Sequence, residues 1–261
     1  MPLPDILLSE ENKTGGILIV VQPGYGPKEH QSARRSFFSD RQLDHGDTLN
    51  QFIDWFDLWS IPLERSRGQD TAFERSFFTL EWPKEKIKEG HGPQLVPKFA
   101  SFAHELSEVI EKRKPRLVIF LSCYLWQAMN LAKDAFTQSA GNPLDNGRRI
   151  TSERLAAYIQ PWERLTVLAL PQPSKNTTAK YVRTLSSGVQ EALRRSRALP
   201  TDTRDPYLES ARDCLIFDRE ASVFSIQTQL HLSRDRAQKL FDDLKDQTYF
   251  INRSGRPQIK N

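Results

Sequence analysis

The sequence predicts an α/β protein: a three-layer α/β/α body on a central, mostly parallel four-stranded sheet, followed by a small C-terminal module. Three observations predict it. Short apolar, β-branched runs alternate with stretches whose apolar residues recur at helical spacing. Those runs stop abruptly at proline, glycine or small polar residues, as strands buried on both faces do before a loop. A polar segment bracketed by Pro200 and Pro206 then separates this pattern from a tail of helices closed by a hairpin signal. The expected division is therefore 1–199 for the α/β domain, 200–206 for a linker and 207–261 for the module.

Composition narrows the class. A chain of 261 residues is ample for one α/β domain with a small appendage. Charged residues make up 27% and the mean hydropathy is -0.58. No apolar run approaches the roughly 18 residues of a span, and the N-terminus lacks a charged-then-apolar leader, so we expect a cytoplasmic protein without membrane contact. Cys123 and Cys214 lie far apart, and His30, His45, His91, His104 and His231 are scattered. Neither set has ligand spacing, and no metal or other cofactor is expected. The net charge of +4 favours polyanionic partners, and the excess lies before about residue 201. If nucleic acid binds, the body must carry much of the backbone contact.

Taken in order, residues 1–15 read as a polar lead-in, and Ile17-Leu18-Ile19-Val20-Val21 as a strand that must turn at Gln22-Pro23-Gly24-Tyr25-Gly26. Proline and glycine there hold Gln22 at the carboxyl end of a strand, where ligands bind in open α/β sheets. The loop through Arg41 sets Lys28, Arg34 and Arg35 beside Phe37 and Phe38, a mixture of charge for phosphate and rings for stacking; the plainer reading is two rings anchoring a long loop. Residues 48–61 predict an amphipathic helix with Asp54 and Asp57 solvated, and 76–82 a second strand stopped by Pro83. A helix over 97–112, the strand 116–122 and a helix from Cys123 form the core strand-to-helix unit. Thr151 predicts the cap of a helix through Ile159. Residues 164–170 give a fourth strand, which ends as the first does, in the proline turn Pro171-Gln172-Pro173-Ser174-Lys175-Asn176, followed by a helix with Tyr181, Val182, Leu185, Val189 and Leu193.

Two strand ends closing in Gln-Pro turns can converge on one site, and here the sequence resembles a known family. Val20-Val21-Gln22-Pro23-Gly24-Tyr25 looks like the first motif of the uracil-DNA glycosylase superfamily, which reads Gly, any residue, Asp or Asn, Pro, then Gly or Tyr. Leu170-Pro171-Gln172-Pro173-Ser174-Lys175-Asn176 is similar to its closing His-Pro-Ser turn, and residues 114–122 resemble its central strand. The resemblance covers residues 15–195 and implies a DNA N-glycosylase that hydrolyses the N-glycosidic bond of a flipped-out damaged or modified base. It implies catalytic roles for Gln22 and Gln172, and substrate contacts from Pro23, Gly24, Tyr25, Phe37, Phe38, Thr79, Glu81, Ser122, Pro173, Ser174 and Asn176. Lys28, Arg34, Arg35 and Lys175 would hold DNA. The departures are chemical: Gln22 stands where the family places the Asp or Asn that handles water, and Gln172 where it often places His. If a carboxylate is needed, Glu81, Asp40, Asp44 and Asp47 are the candidates. The superfamily's antiphage branch removes glucosylated hydroxymethylcytosine, and an amide-rich pocket would suit a sugar-bearing cytosine. The alternative is a catalytically silent, DNA-binding regulator or adaptor on the same fold.

In the tail, residues 207–217, 225–232 and 233–246 predict helices, and 248–260 a hairpin with its tip at Ser254-Gly255. Helix, helix, recognition-type helix and wing is the order of a winged helix, and residues 225–237 are similar to the winged-helix modules that end bacterial DNA translocases. That resemblance implies that Arg234, Arg236 and Lys239 face the major groove of duplex DNA, and Arg253 and Arg256 its phosphates. A near-zero net charge keeps open a winged helix that contacts protein. The sequence sets no oligomeric state.

Overall fold

The computed structural model describes residues 15–24, 46–61, 63, 72–85, 87, 92–174, 177–197, 207–208, 211–212, 214–215, 222–230, 232–251 and 257–259. Four strands run parallel in the order β2 (Phe77–Glu81), β1 (Ile17–Val21), β3 (Leu117–Phe120) and β6 (Thr166–Ala169). The sheet does not stop there, as a four-stranded expectation would have it. β5 (Tyr158–Pro161) pairs antiparallel with β6, and the two-residue β4 (Arg148–Arg149) with β5, making six strands in a mixed sheet.

The predicted helix ending at Ile159 does not form: residues 151–157 are irregular, and Tyr158 and Ile159 begin β5. Thr151 does accept the Glu153 N–H through its hydroxyl at 3.1 Å, as a cap would. That bond closes only a local turn, because the next residues find hydrogen-bond partners along β6 instead. The helix expected over 97–112 is divided into α3 (Leu95–Ala100) and α4 (Ala103–Arg113), with Phe102 non-helical between them.

Strand alternation sends side chains to two separate cores. Ile17, Ile19, Val21, Ile119 and Leu168 pack under α1 (Gly46–Leu58), α7 (Ala179–Thr184) and α8 (Ser186–Arg195). Leu18, Val20, Val118, Phe120 and Val167 pack under α3, α4 and α5 (Cys123–Leu131). Short helices α2 (Ala72–Arg75) and α6 (Thr137–Ala140) complete the layers. On α1, Phe52, Phe56 and Trp59 meet edge to face, and the Trp59 indole N–H donates to the Val182 carbonyl at 2.9 Å, tying α1 to α7.

In the C-terminal module, α9 (Val223–Gln229), α10 (Arg234–Thr248) and the antiparallel strands β7 (Tyr249–Ile251) and β8 (Pro257–Ile259) follow in chain order. Leu215, Ile226, Leu232, Ala237, Leu240 and Leu244 form a third, small core. The linker 200–206 and the hairpin tip lie outside the described residues.

Candidate functional site at the carboxyl rim of the sheet

The four parallel strands all end on one rim. Pairing Val20 with Phe120 and Phe120 with Ala169 fixes which residues come level beyond it. Gln22 leaves β1 beside Ser122, the residue that leaves β3. Ser122 is 4% exposed and N-caps α5: its Oγ accepts the Tyr124 N–H at 3.3 Å. The same oxygen accepts the Gln22 Nε2 at 2.8 Å. Both lone pairs of the hydroxyl are then occupied by N–H donors, so the Gln22 amide is held with its Oε1 turned away from Ser122. Gly24 follows at φ +85, a left-handed conformation that a Cβ would strain.

Gln172 leaves β6 one residue later than the level of Gln22, which is held by Pro171. It is half-buried and makes no hydrogen bond among the described residues. Two strand ends therefore do bring their glutamines to one rim, but the contact made is from Gln22 to Ser122. Pro23 is half-buried and Pro173 buried, while Ser174 is exposed and donates its N–H to the Thr177 Oγ1 at 2.9 Å. Glu81 ends β2, paired with Val21 and half-buried, and so is the carboxylate of the earlier four that stands at this rim among the described side chains. Thr79 is buried in mid-strand against Ile19, two residues short of the rim, which removes it from the substrate-contact set. Tyr25, Lys28, Arg34, Arg35, Phe37, Phe38, Asp40, Asp44, Lys175, Asn176, Arg253 and Arg256 lie outside the described residues, as does the side chain of Asp47.

Beside Ser122 the sequence reading missed a second cluster. The Cys123 thiol donates to the Ala156 carbonyl at 3.1 Å, and the Tyr181 hydroxyl to the Leu155 carbonyl at 3.2 Å. These bonds draw the segment before β5 across the starts of α5 and α7. Burial pushes the Cys123 thiol up to about 12 against the opposing charge of Arg149, so it stays protonated and inert. Burial also raises Tyr181, assisted by Cys123. A Cβ at Gly92, whose φ is +56, would meet the Tyr124 hydroxyl at 3.2 Å, so the start of the short 3-10 turn Gly92–Gln94 lies directly against the ring. Only the apolar segment Ala156-Ala157 hinted at a covering strand, and the cap signal at Thr151 masked it.

Among the described residues, cavities lie away from the rim. One of about 610 Å³, lined by Glu111, Lys114, Gln138 and Arg164, opens at the amino ends of β3 and β6. Another, about 380 Å³, lies beside Trp126, Asn130 and Gln160. There the buried Gln160 amide is fully used, accepting from the Trp126 indole at 2.7 Å and donating to Asn130 and to the Asp145 carbonyl.

The residues expected in the major groove need one correction. Arg234 and Lys239 are exposed on α10, but Arg236 is 4% exposed and faces the body. Its guanidinium meets the Asp57 carboxylate of α1 at 3.4 Å and lies 4.8 Å over the Tyr207 ring. Asp57 is accordingly buried, where a solvated side chain was expected. Helical spacing shows which residues share a face of α1, but it cannot show that another module will cover the polar one.

No protein-family model, no curated protein and no solved structure matches the chain.

Proposed function

We propose that the α/β body is a DNA N-glycosylase acting on a flipped-out modified base, joined to a winged-helix module that holds duplex. The observation that carries this reading is the Gln22 amide, fixed by Ser122 at the rim between β1 and β3. Gln172 leaves β6 at the same rim. The parallel order β2-β1-β3-β6 supports it, because ligands of open α/β sheets bind outside the carboxyl ends of the strands.

Breaking an N-glycosidic bond builds positive charge on the sugar and negative charge on the base, so fixed donors and a placed water supply most of the stabilisation. With its N–H committed to Ser122, Gln22 offers an acceptor oxygen that orients water. Such an oxygen holds a water but does not deprotonate it. Glu81 supplies the charge that opposes the sugar cation and takes the proton that the attacking water gives up as its oxygen bonds to the sugar carbon, while the base departs with the electron pair of the broken bond and is protonated from solvent. Gln172 donates its amide N–H to the departing base. The substrate this set suits is a base with polar substituents, such as glucosylated hydroxymethylcytosine, rather than plain uracil.

Incubation with unmodified, uracil-containing and glucosylated-cytosine duplexes, followed by cleavage at abasic sites, tests this. We expect abasic sites on the glucosylated duplex and a loss of about 10²-fold in Gln22→Ala. Abasic sites on none of the three would overturn the enzymatic reading. The second reading, a silent DNA-binding adaptor, is favoured by amides at both expected catalytic positions. It predicts duplex footprinting without base release.

A further inference from the structure

Helix α10 is tied to the body through its first turn. Asp235 pairs with Arg183 of α7, and Arg236 with Asp57 of α1. Arg234 is the remaining residue of that turn and is exposed. In helix-turn-helix modules the N-terminal residues of the second helix are the ones that reach base edges. The face left to solvent carries Arg234 and Lys239, but also Asp235, Asp242 and Asp243, a mixed surface with little attraction for phosphate. The cation best placed to add to it is the one hidden beneath.

We propose that this docking is a self-covering latch: the body occupies the reading turn of α10 through Asp57 and Arg183, and duplex DNA competes for the same turn. The inference rests on the reading of the module as a duplex binder. Two features make the seam fit a latch better than permanent packing. The exposed half of the seam is an ion pair, Arg183 with Asp235, each side chain about half accessible, and salt or phosphate competes readily with such a pair. The buried half holds two full charges out of water, an arrangement that fixes position more than it adds stability, since packed hydrocarbon would fill the same place without the desolvation cost. Releasing Arg236 into a phosphate-rich groove replaces one anionic partner by another, so opening does not strand the guanidinium.

The test uses the full chain, a 20-base-pair unmodified duplex with a fluorescent label, and solution X-ray scattering without DNA. Arg183→Ala removes a positive charge and would by simple electrostatics weaken DNA binding; the latch predicts the opposite, a gain of about fivefold. Asp57→Asn should raise duplex affinity about tenfold and enlarge the radius of gyration. Adding Arg236→Ala to Asp57→Asn should abolish that gain while leaving the chain expanded. An affinity unchanged or reduced in both Arg183→Ala and Asp57→Asn would overturn the latch. So would expansion without any gain in duplex affinity, which would mark the seam as a site for another partner. Arg183 lies on the surface, so its variant folds even if the buried one does not. Base release is not measured in any arm, so failure here is separate from failure of the glycosylase reading.

Discussion

Gln22 with Ser122 at the rim and Asp57 with Arg236 at the seam each join residues about a hundred or more positions apart, from different helices and strands. The rim pair is neutral, half-open and backed by a helix cap, and the Gln22 Oε1 takes no part in the bond to Ser122. The seam pair is charged, nearly fully buried and stacked on a ring, and its groups face each other rather than solvent. The contrast shows that burial, more than residue type, separates a polar pair that can meet a ligand from one that sets how two parts of the chain sit.

Breaking the seam should have the largest effect on stability. Arg236→Ala removes one partner of a buried ion pair, a change that costs about 3–5 kcal/mol. Chemical denaturation followed by far-ultraviolet dichroism should show it. Replacing both partners, with Asp57→Leu and Arg236→Met, should recover most of the loss, because packed hydrocarbon needs no counter-charge. An equal loss in the double variant would mean that the pair is not what holds the seam.

At the rim the expected loss is smaller and chemical in character. Ser122→Ala deletes the cap of α5 and should cost about 1 kcal/mol, while also freeing the Gln22 amide to rotate. Ser122→Thr keeps the hydroxyl and should retain both stability and any base release, so a matching pair of assays separates positioning from bulk stability.

The smallest effects are pH-dependent and sharpen the contrast further. Burial raises the Cys123 thiol from 9.0 to about 12, so its contribution to stability is complete below about pH 9 and is lost as pH rises toward 12. Alkylation of native protein at pH 8 should therefore be far slower than after unfolding. Glu191 runs the other way. Burial works against its charge, but the hydrogen bond and charge of Arg148, joined by Arg195, outweigh it and hold the carboxyl below 4.5. Its stabilisation is present above that value and fades as pH falls below it. Because the pair is partly solvated, Glu191→Gln should shift an acid melt only slightly.

Much of this was legible in local pattern. The run Ile17-Leu18-Ile19-Val20-Val21 can be buried on both faces only as an inner strand, and Gln22-Pro23-Gly24 forces the turn that puts Gln22 at the rim. The same reasoning reached Ser122 and Gln172. It failed where a residue's partner lies outside its own neighbourhood. Thr151 makes the cap-like bond its sequence promises, yet β6 claims the residues beyond it. Arg236 has the composition of a groove contact, yet α1 claims its charge.

By itself the sequence determined the alternation of strands and helices, the turns that end β1 and β6, and the identity of the amides those turns carry, because each follows from the periodicity and backbone limits of a few adjacent residues. Only the tertiary structure decided that Gln22 meets Ser122 before Gln172, that two antiparallel strands extend the sheet, and that Asp57 and Arg236 bury each other. Those outcomes depend on strand register and on which polar faces become covered. A chain read residue by residue does not contain either until its distant parts have packed.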